Sequence, residues 1–193
     1  MEINAKINYG KLKKLVQQMS KKYSVKVGLL AEKGGSDEIS EDLDLAGLGA
    51  VQEFGCDIKI TPKMAAYLAI KAKEMGLPPK KGKGDGYIHI PARSFLQAPL
   101  TKRNAIINKL KDRLGVAVED VEQYIGESGD LQSLAVMLGA AGVEIVKEAF
   151  DSGGNGQWPA NTEFTIASKH SAMPLIDIGN LSQHITFEVE ENG

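Results

Sequence analysis

Residues 130–150 read DLQSLAVMLGAAGVEIVKEAF, and residues 184–190 read HITFEVE. In the first stretch Leu131, Leu134, Leu138, Ala141, Ile145 and Ala149 step by three and four. That period predicts an amphipathic helix, with Asp130 as its N-cap. Gly153, Gly154 and Gly156 then end it in a loop. In the second stretch Ile185, Phe187 and Val189 alternate with Thr186, Glu188 and Glu190. A period of two predicts a half-buried strand. Long helices and isolated strands without regular βα alternation place the chain in the α+β class, a small, mostly antiparallel sheet packed against two long helices.

The other long helix is expected from about Gln97 to Gly126. Leu100, Ile107, Leu110, Leu114, Val118, Val121 and Ile125 form its apolar side. Ser94 with Gln97 has capping-box spacing, while Pro99 blurs the start. Ser24 to Leu30 alternates around Val25, Val27 and Leu29, and Tyr87 to Ile90 is a short strand ended by Pro91. The sheet is expected to hold the strands near 24–30, 87–90 and 184–190. Shorter helices are expected over Tyr9–Met19, over Asp44–Gly55 (Leu45, Leu48, Val51, Gln52 and Phe54 suitably spaced), and over residues 61–76 with Pro62 at an early position and Met64, Leu68 and Ala72 on one side. One or two helical turns fit Thr162 to Lys169. Residues 31–45 read as a loop with an acidic run, and Leu77 to Gly86 as a Pro/Gly/Lys loop. No internal repeat is visible. The reading is one domain over 1–193, with an inserted helix and basic loop at about 58–86.

With 193 residues, 42% apolar and 25% charged, the chain has globular composition and enough length for a core. Cys56 is the only cysteine, which excludes an internal disulfide and Cys-rich zinc sites. The apolar run Leu131–Val143 is shorter than the ~20 residues of a spanning helix. No signal-peptide h-region opens the chain, so a soluble protein of a reducing cytoplasm is expected. The net charge of −2 conceals an asymmetry. Residues 1–115 carry 21 Lys+Arg and 12 Asp+Glu, net +9; residues 116–193 carry 2 and 13, net −11. Either the basic part meets nucleic acid or the acidic part of a second copy, or the two parts interleave within one fold.

Catalytic patterns are sparse. His89, His170 and His184 show no metal-ligand spacing, and Cys56 has no base nearby in sequence. In Gly82-Lys83-Gly84-Asp85-Gly86 the glycines precede a strand, the reverse of a phosphate cradle. Lys80, Lys81 and Lys83 can touch phosphates through charge alone, since no aromatic residues interleave to stack on bases. Ser168 and Lys169 are helical neighbours that point apart. Trp158 is a lid over the core or an interface anchor.

Four stretches in order carry a resemblance. Gly49-Ala50-Val51-Gln52-Glu53-Phe54-Gly55 is similar to a segment of phage tail-completion proteins, and Ile90-Pro91-Ala92-Arg93-Ser94-Phe95-Leu96 to the one that follows it there. Between them, Ile60-Thr61-Pro62-Lys63-Met64 with Tyr67-Leu68 resembles an insertion of many members. Pro174-Leu175-Ile176-Asp177-Ile178-Gly179-Asn180-Leu181 resembles the last motif, with Ile178 in place of the usual Thr, and Thr162 and Lys169 fit the spacing before it. Over residues 24–190 the chain thus resembles the phage virion-morphogenesis family of tail-completion and head–tail joining proteins. The resemblance implies a structural protein of the neck or proximal tail in the virion, assembled in the host cytoplasm, without catalytic activity, metal or cofactor. It implies a homo-oligomeric ring, a hexamer favoured, that meets the connector, tail terminator or tube and no membrane. Lys80, Lys81 and Lys83 are the candidates for transient contact with genomic DNA in a lumen. The alternative is a nucleic-acid-binding module that uses the basic N-terminal half.

Gln52, Glu53, Phe54, Gly55, Ile90, Pro91, Arg93, Phe95, Leu96, Pro174, Leu175, Asp177, Gly179 and Leu181 are the motif positions. Their physics fits fold-defining corners. Phe54 is expected inward before a reversal at Gly55, Pro91 ends strand pairing, and Phe95 and Leu96 enter the core. Arg93 can clamp a carboxylate, with Glu53 as a candidate partner. Asp177 or Asn180 would cap a turn.

Overall fold

The computed structural model of the chain describes residues 17, 19–30, 38–40, 43–78, 84–114, 131–176 and 180–192. The strands are β1 (Tyr23–Leu29), β2 (Glu38–Ser40), β3 (Leu43–Asp44), β4 (Cys56–Lys59), β5 (Tyr87–Ile90) and β6 (Ile185–Glu191). The helices are α1 (Leu45–Phe54), α2 (Pro62–Glu74), α3 (Gln97–Leu100), α4 (Arg103–Leu114), α5 (Leu131–Asp151), α6 (Glu163–Lys169) and α7 (Asn180–Gln183). The fold is α+β. Its strands form three antiparallel pairs among the described residues: β1–β6, β2–β3 and β4–β5.

Helix α5 organises the core. It packs against β1, β6 and α4. In the β1–β6 register Val25 faces Val189, Val27 faces Phe187 and Leu29 faces Ile185, so both strands give the same face to the helix. Gly139 and Gly142 let the sheet approach closely. A Cβ at Gly139 would overlap the ring of Phe187, and one at Gly142 would sit 2.9 Å from Val27. Leu45, Phe95, Val146, Phe150, Leu181 and Ile185 form one buried cluster; Met19, Leu110, Leu134 and Ala135 form another. Phe95 and Phe150 meet with ring centroids 5.1 Å apart, and Trp158 sets its edge on Phe150 at 5.8 Å. Trp158 is therefore a lid on this core, with its indole N–H donating to the Ser94 carbonyl.

Sequence signals account for the element ends. Asp44 caps α1 by accepting from the Gly47 N–H at 2.6 Å. Gly55 stops it at φ 73°, and a Cβ there would come within 2.7 Å of the Ile90 carbonyl oxygen. Glycine is required on both counts. Thr61 and Thr162 cap α2 and α6.

Four expectations need correction. The strand at 87–90 does not join β1 and β6; it pairs with β4, a strand not foreseen between Gly55 and the inserted helix. The helix from Gln97 is not continuous. It breaks after Leu100 and restarts at Arg103, with the Thr101 hydroxyl donating back to the Ala98 carbonyl. Phe54 does not point inward: it is 71% exposed, and the buried face of α1 is Leu45, Gly49 and Glu53. Two strands are also found at 38–40 and 43–44, where a loop was expected. The expected continuation of the long helix over 115–126, the Asp130 cap, and the helix before residue 17 lie outside the described residues.

The two oppositely charged portions interleave in part. β1 comes from the basic portion and β6 from the acidic one, with Lys26 paired to Glu190. Lys109 of α4 bridges Glu144 and Glu148 of α5.

Candidate functional site

Three of the four resemblance stretches, as far as they are described, come together at one corner, and Glu53 is its centre. As a residue it is 6% exposed. It accepts from the backbone N–H groups of Phe95, Leu96 and Gln97 at 2.8, 2.9 and 3.0 Å, and from the Ser94 hydroxyl at 2.5 Å. These N–H groups open α3 and have no partner within the helix, so a carboxylate there satisfies them and complements the local dipole. Ser94 in turn accepts from the Ala98 N–H at 2.9 Å. The cap expected from Ser94 and Gln97 is thus supplied by Ser94 together with a side chain 41 residues away in sequence.

Arg93 is not the partner of Glu53. Its backbone N–H donates to the Gln52 carbonyl at 2.8 Å. Its guanidinium, 7% exposed as a residue, reaches the carbonyls of Pro159 and Ala160 at 2.9 and 3.3 Å, with longer contacts to Gln52 Oε1 and Asn161 Oδ1. Burial pulls the guanidinium below its ordinary pKa, and it stays protonated at neutral pH. Asn161 passes the connection on by donating to the carbonyls of Ala172 and Met173 at 3.1 and 3.0 Å. Lys169 gathers the carbonyls of Met173 and Ile176 at 2.5 and 2.7 Å, around Leu175 at φ 61°. The side chains of Glu53, Arg93, Ser94, Asn161 and Lys169 therefore tie these segments together, largely through backbone groups.

The remaining described motif positions fall around this corner. Ile90 closes β5 opposite Cys56, and Pro91 follows it. Phe95 is fully buried, Leu181 is buried, and Leu96 and Leu175 pack on the same cluster. Pro174 is half-buried. Asp177 and Gly179, like Lys80, Lys81 and Lys83, lie outside the described residues, as does the Asn180 side chain. Beside the corner, Leu29, Ala46, Gly49, Ala50, Phe54 and Leu100 help line an open, largely apolar cavity of about 430 Å³.

One polar cluster went unforeseen. His89 on β5 holds Asp57 of β4 through Nδ1 and Asp85 through Nε2, both at 2.6 Å. A neutral imidazole donates from one nitrogen only, so two carboxylates select the imidazolium. The hydrogen bonds to Asp85 and then Asp57 raise the His89 pKa, and the bond to His89 lowers that of Asp85. Cross-strand pairing of Asp57 with His89 was not readable because β4 carries no buried residue. The alternation of Cys56, Ile58 and Ile60 was its one available signal.

Among the described residues no group of three or more His, Cys, Asp and Glu side chains is placed to hold a metal ion. The chemistry of the corner is mutual fixation of backbone. No protein-family model, curated protein or solved structure matches the chain.

Proposed function

We propose that the chain is a structural protein of a phage neck or proximal tail, which completes the tail and joins it to the head connector as a ring. The observation that carries this reading is the convergence of the motif segments. Segments at 52–55, 90–96 and, as far as it is described, 174–176 are far apart in sequence, yet they and the 159–161 turn are linked by one hydrogen-bonded network. A function of placement needs rigid corners of this kind and no reacting group. The mechanism is assembly. Subunits meet head to tail through a heterologous interface that closes when the rotation closes.

Because Lys26 and Lys109 are paired internally, the charge available to neighbours is less than the sequence totals imply. Docking is accordingly assigned to local surfaces and not to whole halves of the chain.

Negative-stain images of the purified protein, with DNA-binding titrations over a range of salt, test the proposal. Closed rings with weak DNA affinity are expected. Small monomers that bind DNA tightly, with a steep salt slope, would favour the nucleic-acid module instead.

A further inference from the structure

Helix α2 and the β4–β5 pair stand apart from the body of the fold. No residue of these three elements enters either hydrophobic cluster, and α2 buries none. Among the described elements β4 and β5 pack mainly on each other, and no body helix or strand packs extensively on any of the three. The hydrogen bonds and ion pairs described for residues 56–78 and 84–90 run within the excursion. They include the Ile60 N–H to the Gly86 carbonyl at 2.8 Å, Lys71 to Glu74 at 2.8 Å, and Asp57 and Asp85 to His89. The join to the body is firmer. There the Arg93 N–H holds the Gln52 carbonyl, and Gly55 lies too close to Ile90 and Ala92 for a side chain. A fixed base thus carries a part with little buried apolar surface, which is the condition for local opening below the free energy of global unfolding. A two-stranded pair and a 13-residue helix are each marginal in water on their own.

The His89 clasp is what closes this part. The ring sits on β5 and ties down β4 through Nδ1 and the returning segment at Asp85 through Nε2. Asp85 is itself aimed, since its other oxygen accepts the Tyr87 N–H at 3.0 Å. Register and alternation place Asp57, Lys59, Tyr87 and His89 on one face, all exposed, with Ile88 and Ile90 half-buried on the other. Tyr87 lies alongside the imidazole with ring centroids 6.4 Å apart. Lys59 is the next charge along that face; on α2 Lys71 is engaged by Glu74, and Lys63 and Lys73 are exposed. Hydrogen bonds to Asp85 and then Asp57 raise the His89 pKa. Without its second proton the ring donates to one carboxylate and turns a lone pair on the other, so one of the two ties is lost.

We infer that β4, α2 and β5 open and close as one unit while the body stays folded, and that His89 is the latch of this unit, closed when the imidazole carries both protons. The device goes beyond the ring reading and belongs to the single subunit. Its grip is modest, because both ion pairs are exposed to solvent.

Hydrogen exchange of the full chain, read by mass spectrometry with intrinsic exchange rates divided out, tests it. Gly139→Ala loosens the body where α5 meets Phe187, and His89→Asn removes the latch. At pH 6, Gly139→Ala should lower protection of α5 and β6 at least about tenfold and leave β4–β5 within about twofold. His89→Asn should do the reverse, lowering β4–β5 about three- to tenfold, the worth of two exposed ion pairs, with the body unchanged. That deficit should vanish as pH rises through the folded His89 pKa. Wild type in urea below the unfolding transition gives the same separation without a variant: β4–β5 amides should exchange through an opening less dependent on urea than the one that exposes the body. β4–β5 protection that falls in step with the body, in Gly139→Ala or in urea, would overturn the separate unit. No deficit in His89→Asn, or a deficit equal at pH 6 and above the His89 pKa, would overturn the latch.

Discussion

Glu53→Gln tests how the motif corner is held. The native carboxylate takes three backbone N–H groups and one hydroxyl on two oxygens: Phe95 and Leu96 on Oε2, Gln97 and Ser94 on Oε1. Glutamine keeps one acceptor oxygen. With that oxygen toward Phe95 and Leu96, the amide NH₂ faces the Gln97 N–H, donor against donor, while the Ser94 hydroxyl can turn to accept. One buried donor left unpaired costs about 1–3 kcal/mol, and loss of charge weakens the surviving bonds by up to about 1 kcal/mol each. The expected loss is about 3 kcal/mol. Glu53→Ala strands three N–H groups, and water entering from the adjoining cavity limits the loss to about 4 kcal/mol. Phe54→Ser, one residue on and exposed, should stay within about 0.5 kcal/mol. Equilibrium urea unfolding of the three variants measures this directly. The reasoning fails if Glu53→Gln costs under about 1 kcal/mol, or if Phe54→Ser costs more than Glu53→Gln. The second result would mean that α1 turns its aromatic residue inward after all.

Three further outcomes follow from the same geometry. Arg93→Lys should cost about 2 kcal/mol in urea unfolding, because one ammonium cannot span the Pro159 and Ala160 carbonyls that the guanidinium fork reaches. Gly139→Ala should lower stability by about 2 kcal/mol or more and shift the melting temperature down, since the new methyl overlaps Phe187 and the sheet must move off α5. The His89 clasp should depend on pH in both directions. Its raised pKa means that the stabilisation is fully present below the ordinary histidine value of about 6.5 and fades as pH rises through the higher folded value. The lowered Asp85 pKa means that its share is present above the ordinary carboxylate value and fades as pH falls through the folded one. Protection factors of the β4–β5 amides, with the intrinsic pH dependence of exchange divided out, should therefore be highest at mildly acidic pH, and His89→Asn should flatten the alkaline side. An NMR titration that gives His89 an ordinary or lowered pKa would contradict the clasp.

Periodicity carried most of the secondary structure. α5 and β6 are strongly amphipathic and face one another, so packing agrees with local pattern. The end of α1 shows where pattern misleads. Hydrophobicity favours Phe54 inside, yet the helical phase of Leu45 and Gly49 brings Glu53 to the buried face, where four donors repay the burial of its charge. No sequence rule links a glutamate to N–H groups 42–44 residues downstream. The resemblance marked those residues, but their partners are set by the tertiary fold. Arg93 failed likewise: its target is a run of carbonyls at 159–160, which any sequence could present. The β4 strand was missed because it is held by backbone pairing and one histidine clasp, with no buried side chain to announce it.

The central claim is that the molecule acts by taking its place among copies of itself. Native mass spectrometry of the wild-type protein across a hundredfold range of concentration tests it most directly. The account predicts one closed stoichiometry, six copies favoured, that appears above a threshold and grows no further. A single-copy mass at every concentration, or an open ladder of masses without a terminal species, would contradict it.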